Sequence, residues 1–490
     1  MKKGIQILLS AIAVMCMFSC AIKYNKAGGE LALADENEKK PNIIYILADD
    51  LGYGDLSSYG QKQFSTPNID KLASQGLVFT QHYAGSTVCA PSRSALLTGM
   101  HTGHTPVRGN KEIQPEGQYP IPDDTYTLAE TLKKGGYVTG AFGKWGLGYP
   151  GSEGDPVKQG FDVFYGYNCQ RLGHNYYPYH LWSNRDSIVL KGNSGHKREE
   201  YAPNLIQEKA LEFLEKNKDT TFFMYVPTII PHAELIAPDS IMAKYRGKYL
   251  PEKQFKGTDD GPNYRLGYYE SQKEGHAAFV AMIEIMDKQV GEIMDKVKAL
   301  GIEDNTIIVF TSDNGPHTEG GADPRYFDSN GLLKGFKRDL YEGGIRIPMM
   351  VRWPGKIQAG SKTDLISAFW DVFPTFSEIA GVNVPDNLDG ISFLPTLLNK
   401  SEEQKQHEYL YWEFHENGGR QAIRKGKWKA VKYNVLKHPD APIELYDLST
   451  DLGEENNVAE KYPKVVKDME RILKEARTPS EIFTFDQVSF

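Results

Sequence analysis

Two short runs of oxygen-bearing side chains each follow an apolar stretch. Asp49-Asp50 follows Asn42-Ile43-Ile44-Tyr45-Ile46-Leu47-Ala48, and Asp313-Asn314-Gly315 follows Thr306 to Phe310 and Thr311-Ser312. A continuous apolar run of that length is expected of a strand covered on both faces. In open parallel α/β sheets ligands collect beyond the carboxyl ends of strands, so Asp49, Asp50, Asp313 and Asn314 are expected to converge. At about 4 Å and an effective dielectric of about 20, each like-charged pair among the three carboxylates costs roughly 4 kcal/mol, so the cluster needs protons or a cation. The donors are hard oxygens, which suits Ca²⁺ or Mg²⁺ better than zinc, and calcium is the expectation. One such pair would read as a turn cap; two matching pairs point to a metal.

The most specific string is Cys89-Ala90-Pro91-Ser92-Arg93, followed by Ser94-Ala95-Leu96-Leu97-Thr98-Gly99. Pro91 suits a first helical position, which puts residue 89 at a helix N-terminus, where free amides and the dipole favour an anion. An unmodified Cys89 would act there as a thiolate nucleophile.

This C-x-P-S-R string with its Leu and Thr-Gly resembles the signature of type I sulfatases of the alkaline phosphatase superfamily. The resemblance implies that Cys89 is oxidised to formylglycine by a sulfatase-maturing enzyme, and that the hydrated aldehyde attacks sulfur. It implies calcium held by Asp49, Asp50, Asp313, Asn314 and the modified Cys89. Arg93 matches the residue that holds the nucleophile, and Lys144 in Gly143-Lys144-Trp145 matches a lysine bridging nucleophile and sulfate. His232 in Pro231-His232 matches the histidine near the leaving oxygen, and Lys334 in Leu333-Lys334-Gly335 the second sulfate-binding lysine. Glu342-Gly343-Gly344-Ile345-Arg346-Ile347-Pro348 matches a further family stretch. Singly, these lysines read as surface charges, Arg93 as a helix-surface charge and His232 as a turn residue; the ordered set favours oxyanion clamps and function. The family often reads Gly-Lys-Trp-His-Leu-Gly, whereas position 146 here is Gly, so the proton acceptor for turnover is missing from its usual place and His174 is the candidate to replace it.

The segment Arg171 to His180 is rich in Tyr, His, Asn and Pro, a composition that suits stacking on sugar rings and reading hydroxyls. Arg171 and His174 are therefore candidate substrate contacts, as are His415 and Arg420 in Tyr411 to Arg420, which resembles the family segment folded over the active-site mouth. The substrate expected is a sulfated glycan or oligosaccharide, with exo action on a galactose or N-acetylgalactosamine type sulfate ester. The competing readings are a phosphonate monoester or phosphodiester hydrolase of the same superfamily and a non-catalytic glycan-binding lipoprotein.

These residues need a scaffold, and the chain of 490 residues, 40% hydrophobic, is long enough to supply one. A net charge of −8 and the lack of Lys and Arg runs give no footprint for nucleic acid. Strands at 42–48, Leu77 to Tyr83, Tyr137 to Phe142, Phe222 to Val226 and Thr306 to Phe310 alternate with helices at Pro67 to Gly76, 89–97, Thr127 to Lys134 and Gly275 to Leu300. That alternation predicts an α/β fold, a large mainly parallel sheet flanked by helices, over residues 41–400. Beyond the polar stretch Asn399 to His407, aromatic runs at Glu408 to Phe414, Gln421 to Tyr433 and Ile443 to Leu448 precede a helix near Lys464 to Ala476. They predict a small α+β subdomain, 405–490, of antiparallel sheet and one helix that closes the active site.

Lys2-Lys3 and the apolar run Ile5 to Phe18 have the shape of a secretory signal, residues 1–20. Ser19-Cys20 resembles a lipobox, so Cys20 is expected to carry lipid, residues 21–40 to form a tether, and the protein to be exported to the periplasm with no other membrane contact. Cys89 and Cys169 remain in the folded part and form no disulfide framework, and Cys169 reads as a small buried hydrophobe.

Overall fold

The computed structural model describes residues 39–485. The leader, Cys20 and nearly all of the tether lie outside the described residues. From Lys40 onward the chain clusters as one compact unit.

The sequence 42–48 forms the strand Asn42–Ala48, and its continuous hydrophobicity has a direct cause. Ile44, Ile46 and Ala48 enter one apolar core while Ile43, Tyr45 and Leu47 enter another on the opposite face. The strand pairs in parallel with Thr306–Ser312 on one side and Phe222–Pro227 on the other. Val138–Lys144 and then Val163–Tyr167 continue the parallel run. Beyond Thr306–Ser312 lie Arg346–Arg352, antiparallel, then Leu77–Tyr83, so that the latter again runs with the central strands. The short strands Ser361–Thr363 and the hairpin His180–Ser183 with Asp186–Val189 complete the edges of an 11-stranded sheet.

The long helix Gly275–Ala299 covers one face. Phe279, Met282, Ile283, Met286, Val290, Ile293, Met294 and Val297 are all buried, as an amphipathic helix packed on a sheet requires, and every residue of 275–283 is buried with them, so the first turns are enclosed on all sides. It packs beside Pro67–Ser74 and Ala202–Asn217, a helix that the apolar spacing of the sequence had not marked.

The second sheet, antiparallel throughout, runs Leu410–Phe414, Arg420–Lys425, Trp428–Tyr433, Glu444–Asp447, with the helix Pro463–Glu475 against it. The predicted run Gln421 to Tyr433 is two strands, because Gly426, at φ +56°, takes the left-handed turn between them. This sheet docks beside the Cys89 helix: the Trp412 Nε1 donates to the Ala84 carbonyl at 2.9 Å, and the Glu413 amide donates to Thr102 Oγ1 at 2.8 Å. A buried ion cluster reinforces the seam, with Lys429 Nζ donating to Glu342 Oε1 at 2.9 Å and Tyr83 OH to Glu342 Oε2 at 2.7 Å.

Candidate active site

Every element that reaches the site does so from one edge of the large sheet. Asp49-Asp50 continues Asn42–Ala48, Asp313-Asn314 continues Thr306–Ser312, and Lys144 ends its own strand. The Asp313 amide donates to the Ala48 carbonyl and the Asp50 amide to Asp313 Oδ1, both at 3.0 Å, so the two acidic runs are laced together as the strands end. Asp50 adopts φ +64°, a left-handed conformation that aspartate tolerates better than most residues.

Cys89 opens the helix Cys89–Thr98, which begins two residues before Pro91 rather than at it, and the Ala90 amide is capped by Asn110 Oδ1 at 3.1 Å. Cys89 Sγ lies 3.2 Å from Asp49 Oδ1, 4.0 Å from Asp50 Oδ1 and 3.6 Å from Lys144 Nζ. Lys144 also donates to Asp49 Oδ2 at 2.7 Å. Arg93 donates through Nε and Nη2 to Asp313 Oδ2, at 3.1 and 2.8 Å, and through Nη1 to the Lys144 carbonyl. One guanidinium thus ties the nucleophile's helix to two strand ends. The approach of Lys144 needs glycine before it: Gly143 has φ +140°, and a Cβ there would lie 1.9 Å from the Pro227 carbonyl oxygen.

Asp49, Asp50, Cys89 and His232 present ligand atoms all within 4.8 Å of one another. The Asn314 amide donates to Asp50 Oδ1 at 2.7 Å, while its own Oδ1 is buried with no hydrogen-bond partner. Buried carboxylate oxygens of Asp49 and Asp50, beside an Asn314 whose amide oxygen has no partner, are the hard donors a divalent ion takes, so the residues present fit such an ion. Burial pushes Asp313 up to about 7, with Asp49 and Asp50 adding to the effect against Arg93. Burial acts on Asp49 in the same sense, but Lys144, His232, Arg93 and Lys337 hold it well below the usual carboxylate range. Burial and the Asp49 carboxylate push the Cys89 thiol well above its ordinary value.

Lys334 is not part of this cluster. Its Nζ donates to the Glu454 carbonyl at 2.9 Å and sits 4.0 Å from the centre of the Tyr341 ring, at the seam with the second sheet. Lys337, three residues on, is the lysine the loop turns inward. Its amide donates to the Pro316 carbonyl, and its Nζ donates to Asp50 Oδ2 at 2.7 Å and to His232 Nε2 at 2.9 Å. Both lysines flank Gly335, and only the path of the chain, set by backbone bonds at Pro316 and Thr87, separates them.

His232 accepts at Nε2 from Lys337, which assigns the proton to Nδ1, beside the Ala233 carbonyl. Burial, with Lys337 and Lys144, holds its pKa well below normal, so the ring is neutral. His174 stacks on His232 at 4.8 Å and 7°, and His317 stacks on the other side at 5.4 Å and 22°. His174 Nδ1 pairs with the Gly267 carbonyl at 2.8 Å, and burial pushes this imidazole down to about 3. His317 was not singled out in the sequence, although it follows Asp313-Asn314-Gly315-Pro316 directly.

The other substrate candidates stand apart from the carboxylates. Arg171 donates to the carbonyls of Leu266 and Pro115 at 2.8 and 2.9 Å. His415 is buried against Phe485, with ring centres 4.3 Å apart, and Arg420 pairs with Asp339 Oδ1 at 3.0 Å and lies over the Tyr433 ring. Arg420 also donates to the carbonyl of Arg338, the residue after Lys337, so it braces the loop that carries the inward lysine.

A parallel sheet whose strand ends gather three carboxylates, a helix-terminal cysteine and two buried lysines defines a hydrolase of the alkaline phosphatase superfamily. The sulfatase family model matches residues 41–382, and the chain belongs to that family; it is a sulfuric ester hydrolase. A second model, N-sulphoglucosamine sulphohydrolase, C-terminal, matches residues 333–479. An N-acetylgalactosamine-6-O-sulfatase of Bacteroides thetaiotaomicron is 31% identical, the match covering 96% of this chain and 98% of that one. Human arylsulfatase A is 32% identical over 89% and 87% of the two chains. Among solved structures, Ps i-CgsB in complex with k-i-k-neocarrahexaose superposes with a TM-score of 0.73 at 30% identity, covering 89% of this chain and 92% of that one.

Proposed function

We propose that this sulfatase removes sulfate from a sulfated carbohydrate, acting at the chain end on a galactose or N-acetylgalactosamine type ester. The observation that carries the reading is Cys89 Sγ set between Lys144 and the Asp49 and Asp50 carboxylates at the mouth of a helix. The full-length likeness to an N-acetylgalactosamine-6-O-sulfatase supports the sugar class.

In this reading Asp49, Asp50, Asp313 and Asn314 hold calcium, with residue 89 completing the set as formylglycine. Together these groups supply a metal-activated gem-diol nucleophile for sulfur. Lys144 and Lys337 hold the sulfate oxygens, and Arg93 fixes residue 89 relative to Asp313. With Arg93, the two lysines balance the three carboxylates in number, so a divalent ion leaves the pocket cationic, as an anionic sulfate ester requires. His232 accepts from Lys337 at Nε2, so the proton available to the leaving oxygen beside this pair sits on the Lys337 ammonium. His174, with its Nδ1 on the Gly267 carbonyl, stacks on His232 and orients that ring.

Export through the leader, with a lipid on Cys20 and a periplasmic location, fits foraging on external glycans. The test is sulfate release, read by ion chromatography, from defined sulfated mono- and disaccharides by protein made together with a maturation enzyme. Release from 4-O- or 6-O-sulfated galactose or N-acetylgalactosamine is expected. Hydrolysis of an aryl phosphonate with no release from any sulfated sugar would overturn the proposal.

A further inference from the structure

The Gln170 carboxamide lies against Gly146, two residues beyond Lys144, with the Gln118 side chain bonded to the Gln170 backbone. The Gly146 amide donates to the Asn168 carbonyl at 2.8 Å, Gln170 Nε2 donates to the Gly146 carbonyl at 3.4 Å, and the Gln170 amide donates to Gln118 Oε1 at 3.4 Å. Gly146 has φ +76°, and a Cβ built there would lie 1.7 Å from Gln170 Nε2 and 2.5 Å from its Cδ. The Gln170 amide therefore occupies the volume that a side chain at 146 would need. The same loop lies along the lysine: a Cβ at Gly173 would be 3.1 Å from Lys144 Cδ.

Gln118 and Asn168 are wholly buried and Gln170 is 5% exposed. Yet Gln118 Nε2, both side-chain polar atoms of Asn168 and Gln170 Oε1 have no hydrogen-bond partner. Native proteins leave few buried polar atoms unmet, and the free Gln170 Oε1, on a side chain packed against Gly146, is a group placed to accept a hydrogen bond. A carboxamide can accept a hydrogen bond near neutral pH but cannot take up the proton, so its chemistry is to orient a hydroxyl.

We infer that Gln170 is a working residue of the catalytic pocket, filling the place left empty at Gly146, and that its Oε1 accepts a hydrogen bond from an O–H at the reaction centre. The hydroxyl belongs either to the sugar or to the hydrated residue 89. This inference rests on the proposed sulfatase reaction and adds a residue to it.

The test uses Gln170→Met, which keeps the volume and removes the acceptor, in maturation-competent protein. With unchanged thermal unfolding, kcat/KM on the sugar sulfate hydrolysed by the wild type is expected to fall about 10- to 100-fold, the worth of one hydrogen bond at a charged centre. Calorimetry of the same sugar with Cys89→Ala protein, with and without Gln170→Met, separates the sources. Weakened binding assigns the hydroxyl to the sugar; unchanged binding with lowered kcat assigns it to residue 89. Unchanged kcat/KM in the folded variant would overturn the inference and leave Gln170 a filler. A stability cycle tests the placement even if the wild type desulfates nothing. Gly146→Ala is expected to lower the melting temperature more in the wild type than in Gln170→Gly protein, and equal effects would also overturn the inference.

Discussion

Replacing Lys337 is the sharpest test of which lysine serves the site. Its ammonium lies 2.7 Å from Asp50 Oδ2 and is buried, and at an effective dielectric of about 20 that contact is worth about 6 kcal/mol of gross attraction. Much of this is offset by the desolvation of both charges, so the functional loss is better gauged from the removal of one preorganised donor, about 3 to 4 kcal/mol in the transition state. Lys337→Met is therefore expected to lower kcat about 100- to 1,000-fold. Lys334→Met, which removes contacts to the Glu454 carbonyl and to the Tyr341 and Tyr446 rings, should cost less than about tenfold, the scale of one ordinary hydrogen bond. Sulfate release under saturating substrate, with thermal unfolding of both variants as a fold control, reads the difference. Comparable losses in two folded variants, or a larger loss for Lys334→Met, would refute the assignment.

Removal of divalent metal with a chelator should lower activity and melting temperature together, and calcium at about one hundred times its Kd should restore about 2.7 kcal/mol of stability; an unchanged melting temperature would contradict the ion site at Asp313 and Asn314. The buried His82 carries a pH signature. Burial pushes its imidazole down to about 3, so the folded state resists protonation that the unfolded chain accepts below about 6.5. Its contribution is present above pH 6.5 and is lost as pH falls towards 3, with a slope of at most about 1.4 kcal/mol per pH unit. His82→Gln should flatten the acid limb of denaturant-measured stability by that amount, and an unaltered slope would count against it. Lys429→Met should destabilise the protein by about 3 kcal/mol in chemical denaturation, because it strips a partner from buried Glu342 at the seam of the two sheets; a loss below about 1 kcal/mol would show that Arg346 and Arg424 suffice.

Much of this architecture was legible because its causes are local. The run Ile43 to Ala48 is apolar throughout since both its faces are covered, and the stripe is cleanest from Val290 to Val297, where only one face of the helix is covered. The carboxylates were legible because the sheet edge, a property of topology, delivers strand ends to one place. What sequence could not fix is chain path inside loops. Lys334 and Lys337 have the same chemistry and nearly the same surroundings in sequence, and backbone bonds to Pro316 and Thr87, hundreds of residues apart in sequence, decide which one turns inward. Gln170 was hidden for the same reason: its role depends on a volume left vacant by Gly146, 24 residues earlier.

The central claim is that residue 89 works as an aldehyde derived from cysteine. Mass analysis of the peptide containing Cys89, taken from protein that is actively releasing sulfate, tests it most directly. The account predicts a side chain in which the sulfur, its hydrogen and one Cβ hydrogen have been replaced by an aldehyde oxygen, with activity in proportion to the converted fraction. A fully intact thiol in active protein would contradict it.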